Sequence, residues 1–156
     1  MLRQLVLLTV FSMAWSAGTV TWGAIGVSWN IESPYVTFTV AMAKSDLSKF
    51  DYWGFGFNAE GTDDDDEGTD FYMIYKDGTG TSRIVDSQVN SEETGPVTDA
   101  TNDASIISHA VGTDGHFVTS FSRLLDTSDT TADIVLVENS EYELFLRAGV
   151  NKDGVP

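Results

Sequence analysis

A chain of 156 residues with 42% hydrophobic and 12% aromatic residues has the apolar mass for one packed domain, which excludes a disordered tail. Its formal net charge of −16 repels nucleic acid and anionic membrane surfaces and favours solubility and cations. With no cysteine, it can form no disulfide, Cys-ligated zinc site or iron–sulfur cluster, so the core alone must hold the fold.

The N-terminus reads MLRQLVLLTVFSMAWSAGTV. Arg3 gives a short positive region, Leu5 to Met13 a mostly apolar one, and Ala14, Ser16 and Ala17 the small residues of a cleavage site. This is the order of a secretory signal peptide over residues 1–17, and the run is short of the roughly 20 residues that span a bilayer. Residues 18–156 are then one domain, expected to be secreted, extracellular or at the cell surface. There is no Asn-x-Ser/Thr sequon, so N-glycosylation is not expected.

Strand character begins with VTWGAIGVSWNIE over residues 20–32, where Trp22 and Trp29 have opposite parity and a bulge near Gly23 or Gly26 is expected. In PYVTFTVAMA, residues 34–43, Val36, Phe38, Val40 and Met42 share one face, the period-2 pattern of a half-buried strand. Ser45 is positioned to cap a single helical turn over residues 45–50. Further strands are predicted over 52–58, 70–76, 82–88, 105–111, 116–125, 132–138 and 141–149. The separators carry turn chemistry: Asp77-Gly78, Glu93-Thr94-Gly95-Pro96, Asp114-Gly115 and Asn139-Ser140. Residues 116–125 do not divide into an apolar and a polar face, as expected of a strand covered on both sides. Short strands at this spacing predict an all-β fold of about 9–11 antiparallel strands, a sandwich or a barrel. The ending NKDGVP places a turn where another strand would follow, so a domain truncated at its C-terminal end is one expectation.

Between two apolar segments lies the block Asp63, Asp64, Asp65, Asp66 and Glu67. Calcium takes about six to eight oxygen ligands, and adjacent like charges favour a neutralising cation, so these five residues are the candidate metal ligands. They do not form the helix–loop–helix calcium loop: Asp65, Glu67 and Gly68 fit a start at Asp63, but Ile74 stands where that loop needs Glu. The alternative is a solvated loop that blunts the sheet end. His109 and His116 each stand alone on a strand and are expected to be hydrogen-bonded or exposed rather than metal ligands. No Gly-x-Ser-x-Gly elbow occurs, and no catalytic residue is assigned. Tyr35, Tyr52, Trp53, Phe55, Phe57, Phe71, Tyr72 and Tyr75 are expected mainly in the core, with the rest free to line a ligand pocket.

Several pieces occur in a telling order. Trp53-Gly54-Phe55-Gly56-Phe57 is followed by Gly68-Thr69-Asp70 opening a strand, then Asp77-Gly78, Val85-Asp86-Ser87, Pro96 with Asp99, and Asn102-Asp103. Gly115 precedes Phe121-Ser122-Arg123, and Leu125-Asp126-Thr127-Ser128-Asp129 with Asp133 completes the series. In this order the chain resembles the DOMON family, named for the N-terminal part of dopamine β-monooxygenase, over roughly residues 20–149. The resemblance implies an immunoglobulin-like β-sandwich and an extracellular module that binds a small ligand. In some relatives that ligand is b-type haem held by a Met and a His; others are thought to bind sugars. The haem-ligating Met of such relatives aligns with Asp66, and their His lies on a strand beyond the one matching residues 141–149, so neither ligand carries over to this sequence. Arg123 is expected to pair with an acid from a neighbouring strand, and Asp126 and Asp129 to bond their own turn.

The expectation is therefore a non-enzymatic extracellular module for a small-molecule or carbohydrate ligand, with calcium as a candidate ion. The alternatives are an assembly subunit that joins through strand edges, associating with itself or with other domains, and a b-type haem electron-transfer domain.

Overall fold

The computed structural model describes residues 5–9, 17–22, 25–43, 52–59, 68–76, 79, 81–89, 96–111, 116–130 and 133–149. The described residues form eleven strands: β1 (Leu5–Thr9), β2 (Ala17–Trp22), β3 (Ile25–Glu32), β4 (Tyr35–Ala43), β5 (Tyr52–Ala59), β6 (Thr69–Lys76), β7 (Ser82–Val89), β8 (Pro96–Thr98), β9 (Ser105–Val111), β10 (His116–Leu124) and β11 (Tyr142–Gly149). They make a six-stranded sheet, β1-β11-β5-β6-β7-β8, and a five-stranded sheet, β2-β3-β4-β10-β9. Every pairing is antiparallel. The fold is the expected antiparallel β-sandwich.

Alternation along each strand decides what enters the core. On β4, Val36, Phe38, Val40 and Met42 are buried, as their parity predicts. On β5 the inward residues are Trp53, Phe55 and Phe57, and on β6 they include Tyr72 and Ile74. Rings from the two sheets meet directly: Phe38 lies 4.9 Å from Phe55, and Phe121 lies 5.1 Å from Tyr72, centroid to centroid. Tilted contacts of this kind add to the burial of apolar area that drives folding.

The six-stranded sheet has a second apolar cluster on its other face, made of Tyr52, Phe71, Met73 and Val89. Gly54 and Gly56 make it possible. A Cβ on Gly54 would stand 2.0 Å from the Tyr72 carbonyl oxygen and 3.0 Å from the Phe71 ring, and one on Gly56 would meet the same ring at 3.0 Å. The Phe71 ring therefore lies across both glycines, where any larger residue on β5 would push it off. The aromatic set thus divides: Trp53, Phe55, Phe57 and Tyr72 fill the sandwich, Tyr52 and Phe71 the opposite face, and Tyr35 is exposed.

β10 explains its mixed sequence. Phe117, Thr119, Phe121 and Arg123 all point inward and are buried, while the other face is half-buried. The inward row holds a hydroxyl and a guanidinium, so neither face reads as apolar.

Three expectations change. Residues 20–32 are not one bulged strand: β2 and β3 form a hairpin in regular register from Ala17↔Asn30 to Trp22↔Ile25, which accounts for the opposite parity of the two tryptophans. Residues 133–137 of the predicted 132–138 strand are irregular. Leu136 is buried and Val135 and Val137 are exposed, which mimics a strand, but their backbone bonds go to Leu125 and to the Tyr142 hydroxyl instead of a ladder. Pro96 opens a short edge strand that the turn reading did not include. β1 is built from the segment read as a leader and pairs along β11 from Leu5↔Ala148 to Thr9↔Leu144. The predicted turn over residues 45–50 lies outside the described residues.

Candidate functional site

Where β6 begins and β10 ends, the sandwich closes around charge. Arg123, 1% exposed, extends from β10 into the facing sheet. Its Nη1 donates to Asp70 Oδ2 at 2.5 Å and to the Tyr72 hydroxyl at 2.6 Å. Its Nη2 donates to the Ile134 carbonyl at 2.7 Å and its Nε to the Leu124 carbonyl at 2.8 Å. The guanidinium also sits 5.6 Å from the Phe57 ring centroid. A planar, always-charged group with fixed donors is what such a divided set of acceptors requires. The expected acid partner exists, but it comes across the sandwich and not from a neighbouring strand.

Asp70 also accepts from the Ile134 amide at 3.0 Å, which fastens the irregular 133–137 segment over the site. Asp86 stands on β7 directly opposite Tyr72. Its Oδ2 accepts from the Asp103 amide at 3.3 Å, and its own carbonyl accepts from the Asp99 amide at 3.0 Å. Asp70, Asp86 and Asp133 each place a carboxylate oxygen within 4.8 Å of the other two. Asp99, Asp103 and Asp129 extend the acidic field outward, since each acts electrostatically on this group or on one another.

Burial and crowding raise these carboxyls. Burial pushes Asp70 up to about 6, against the pull of Arg123 and the Ile134 amide. Burial and the Asp70 and Asp133 charges push Asp86 up to about 8. Asp99 is raised to about 6 by burial and then by Asp133, Asp129 and Asp103. Burial opposes the Arg123 charge, but Tyr72 and Asp70 more than offset it, so the guanidinium holds its proton more tightly still.

An open cavity of about 350 Å³ adjoins the outer acids, lined by Thr101, Asp103, Thr127, Ser128, Asp129 and Thr130. Its wall is shaped by local turns: the Ser128 amide donates to Asp126 Oδ1 at 2.8 Å, and Ser128 takes a left-handed φ of 66°. Asp126 bonds its own turn as expected. The Asp129 amide is held by the Thr127 hydroxyl at 3.3 Å.

The acid block Asp63, Asp64, Asp65, Asp66 and Glu67 lies outside the described residues. His109 is hydrogen-bonded, as expected: Nε2 meets the Ser82 hydroxyl at 2.9 Å and Nδ1 the Thr119 hydroxyl at 2.8 Å. The residues described here do not fit a Met–His iron clamp. Met73 belongs to the outer face of the six-stranded sheet, both histidines belong to the five-stranded sheet, and Met42 is closed into the core at 1% exposure.

No sequence motif assigns the inner acids a role. Their signal was parity: Asp70 shares its face with Tyr72 and Ile74, and Asp86 with Ile84, so each acid occupies an apolar position.

Comparison with known families places a match to a model described as the DOMON domain over residues 21–149. The match takes in every strand from β3 to β11. No curated protein matches the chain.

Proposed function

This chain belongs to the DOMON domain family, and from that premise we propose that it is an extracellular, non-catalytic module that binds a small polyhydroxylated ligand, such as a carbohydrate. The observation that carries this reading is the cavity edged by Thr101, Asp103, Thr127, Ser128, Asp129 and Thr130. Four hydroxyls and two carboxylates offer donors and acceptors for vicinal hydroxyl groups. The surrounding acids disfavour an anionic ligand. Secretion rests on the leader pattern of residues 1–17, whose cleavage would also remove β1 from β11. Titration of 15N-labelled protein with a panel of neutral mono- and oligosaccharides tests the reading. Saturable shifts at the amides of Ser128 and Asp129, lost in Ser128→Ala/Asp129→Asn, are expected. A panel that moves no amide of this cavity overturns it.

A second reading is assembly through a sheet edge. β9 closes the five-stranded sheet with all seven residues exposed, among them Ile107 at 59% and Val111 at 54%. An exposed edge strand carrying Ile106, Ile107 and Val111 is a template for another strand. Light scattering over a range of concentrations decides it: a monomer at every concentration rules out self-assembly.

A further inference from the structure

The inner acids are a separate matter from the cavity. Asp70 and Asp86 are both 0% exposed. Asp70 Oδ1, Asp86 Oδ1 and Asp133 Oδ2 are buried with no hydrogen-bond partner among the described residues. Leaving a buried carboxylate oxygen unmatched costs the full desolvation penalty of a charged group. Three such oxygens on residues that converge within 4.8 Å are therefore an expensive arrangement unless something positive lies between them.

The local cation does not fill that role. Arg123 spends its donors on Asp70 Oδ2, Tyr72, Leu124 and Ile134, and no bond from it reaches Asp86 or Asp133. Asp70 and Asp86 are oriented by their other contacts. Asp70 Oδ2 is held by Arg123 and the Ile134 amide, and Asp86 Oδ2 by the Asp103 amide, which leaves both Oδ1 atoms unengaged. Once deprotonated, as they must be to ligate a metal, the three carboxylates and the one guanidinium carry two net negative charges, which a single divalent ion cancels. The donor set is all oxygen, which selects a hard cation over a soft one.

We propose that a divalent hard cation, Ca²⁺ by preference, binds between Asp70, Asp86 and Asp133 and joins the six-stranded sheet to the 133–137 segment. Water from the adjoining cavity and bidentate binding by the acids complete the shell. Ca²⁺ accepts such irregular oxygen shells, whereas Mg²⁺ demands near-ideal octahedral geometry. The site differs from the acid block at residues 63–67, and it does not depend on the carbohydrate reading.

The test is a Ca²⁺ titration of the full chain, stripped with chelator, followed by calorimetry, thermal melting and 15N amide shifts. Extracellular calcium modules bind in the range of about 10⁻⁴ to 10⁻³ M, so millimolar Ca²⁺ is expected to raise the melting temperature. Asp86→Asn and Asp133→Asn are expected to abolish that rise. Neutralising the block as Asp63→Asn/Asp64→Asn/Asp65→Asn/Asp66→Asn/Glu67→Gln is expected to leave it intact. In the unmutated chain, the Asp103 and Ile134 amides, which donate to Asp86 and Asp70, are expected to shift saturably, a readout that does not depend on any variant folding. The proposal is overturned if the unmutated chain shows neither heat nor a melting shift. It also fails if the shift survives in both single variants, or if the moving amides are confined to residues 61–67.

Discussion

Arg123 on β10 and Asp70 on β6 form an ion pair across the sandwich, 2.5 Å from Nη1 to Oδ2, with both side chains at 0% exposure. Two charges with no water around them depend on each other. Their attraction offsets a desolvation cost that either one alone could not bear.

Arg123→Met is therefore expected to destabilise the fold by about 3–5 kcal/mol, because it leaves the buried Asp70 carboxyl without its partner. Adding Asp70→Asn is expected to cost less than the sum of the single changes, since each single change breaks the same pair. Chemical denaturation of the two single variants and the double variant measures the coupling. Additive losses would show that the two residues act independently.

Stability in chelator-treated buffer is expected to fall as pH rises. Asp70 and Asp99, raised from 3.8 to about 6, and Asp86, raised to about 8, bind protons more tightly folded than unfolded. Protonated, they favour the fold; that contribution is complete below the unfolded value and is lost as pH climbs through about 6 and then about 8. Denaturation midpoints between about pH 5 and about pH 9 should decline. Asp86→Asn should flatten the upper part of the decline. A flat profile would mean that these acids titrate normally.

Gly54→Ala is expected to cost about 3 kcal/mol, the upper end of overpacking penalties, because its Cβ has no room beside the Tyr72 carbonyl. Gly26→Ala serves as the control. The nearest atom to its Cβ is Thr21 Oγ1 at 4.0 Å, so a change within about 0.5 kcal/mol is expected. Thermal melts of the two variants separate close packing from a general intolerance of alanine on these strands.

Tyr142→Phe removes a hydroxyl that accepts from the Val137 amide at 2.8 Å and donates to the Val135 carbonyl at 3.2 Å. A loss of about 1 kcal/mol is expected, with faster hydrogen exchange at the Val137 amide. Unchanged exchange at that amide would show that the 133–137 segment is held by its other bonds.

Much of this architecture is legible in the amino-acid order. The alternation of Val36, Phe38, Val40 and Met42 already specifies a strand and its buried face, because side-chain direction has period 2 whatever the partner. Residues 133–137 carry the same alternation without forming a strand. Their apolar residues alternate, but a ladder needs a partner strand, and there the backbone finds Leu125, Tyr142, Asp70 and Arg123 instead.

By itself, then, the sequence determined the all-β class, the inward rows of most strands and the order of pieces that marks the family, since all of these are local or sequential properties. Tertiary structure alone decided that Arg123 meets an acid of the opposite sheet, and that Asp70, Asp86 and Asp133, separated by tens of residues, converge within 4.8 Å. Parity names the face a residue takes. Which residues stand across that face depends on how two sheets stack, and stacking is fixed by the whole core at once.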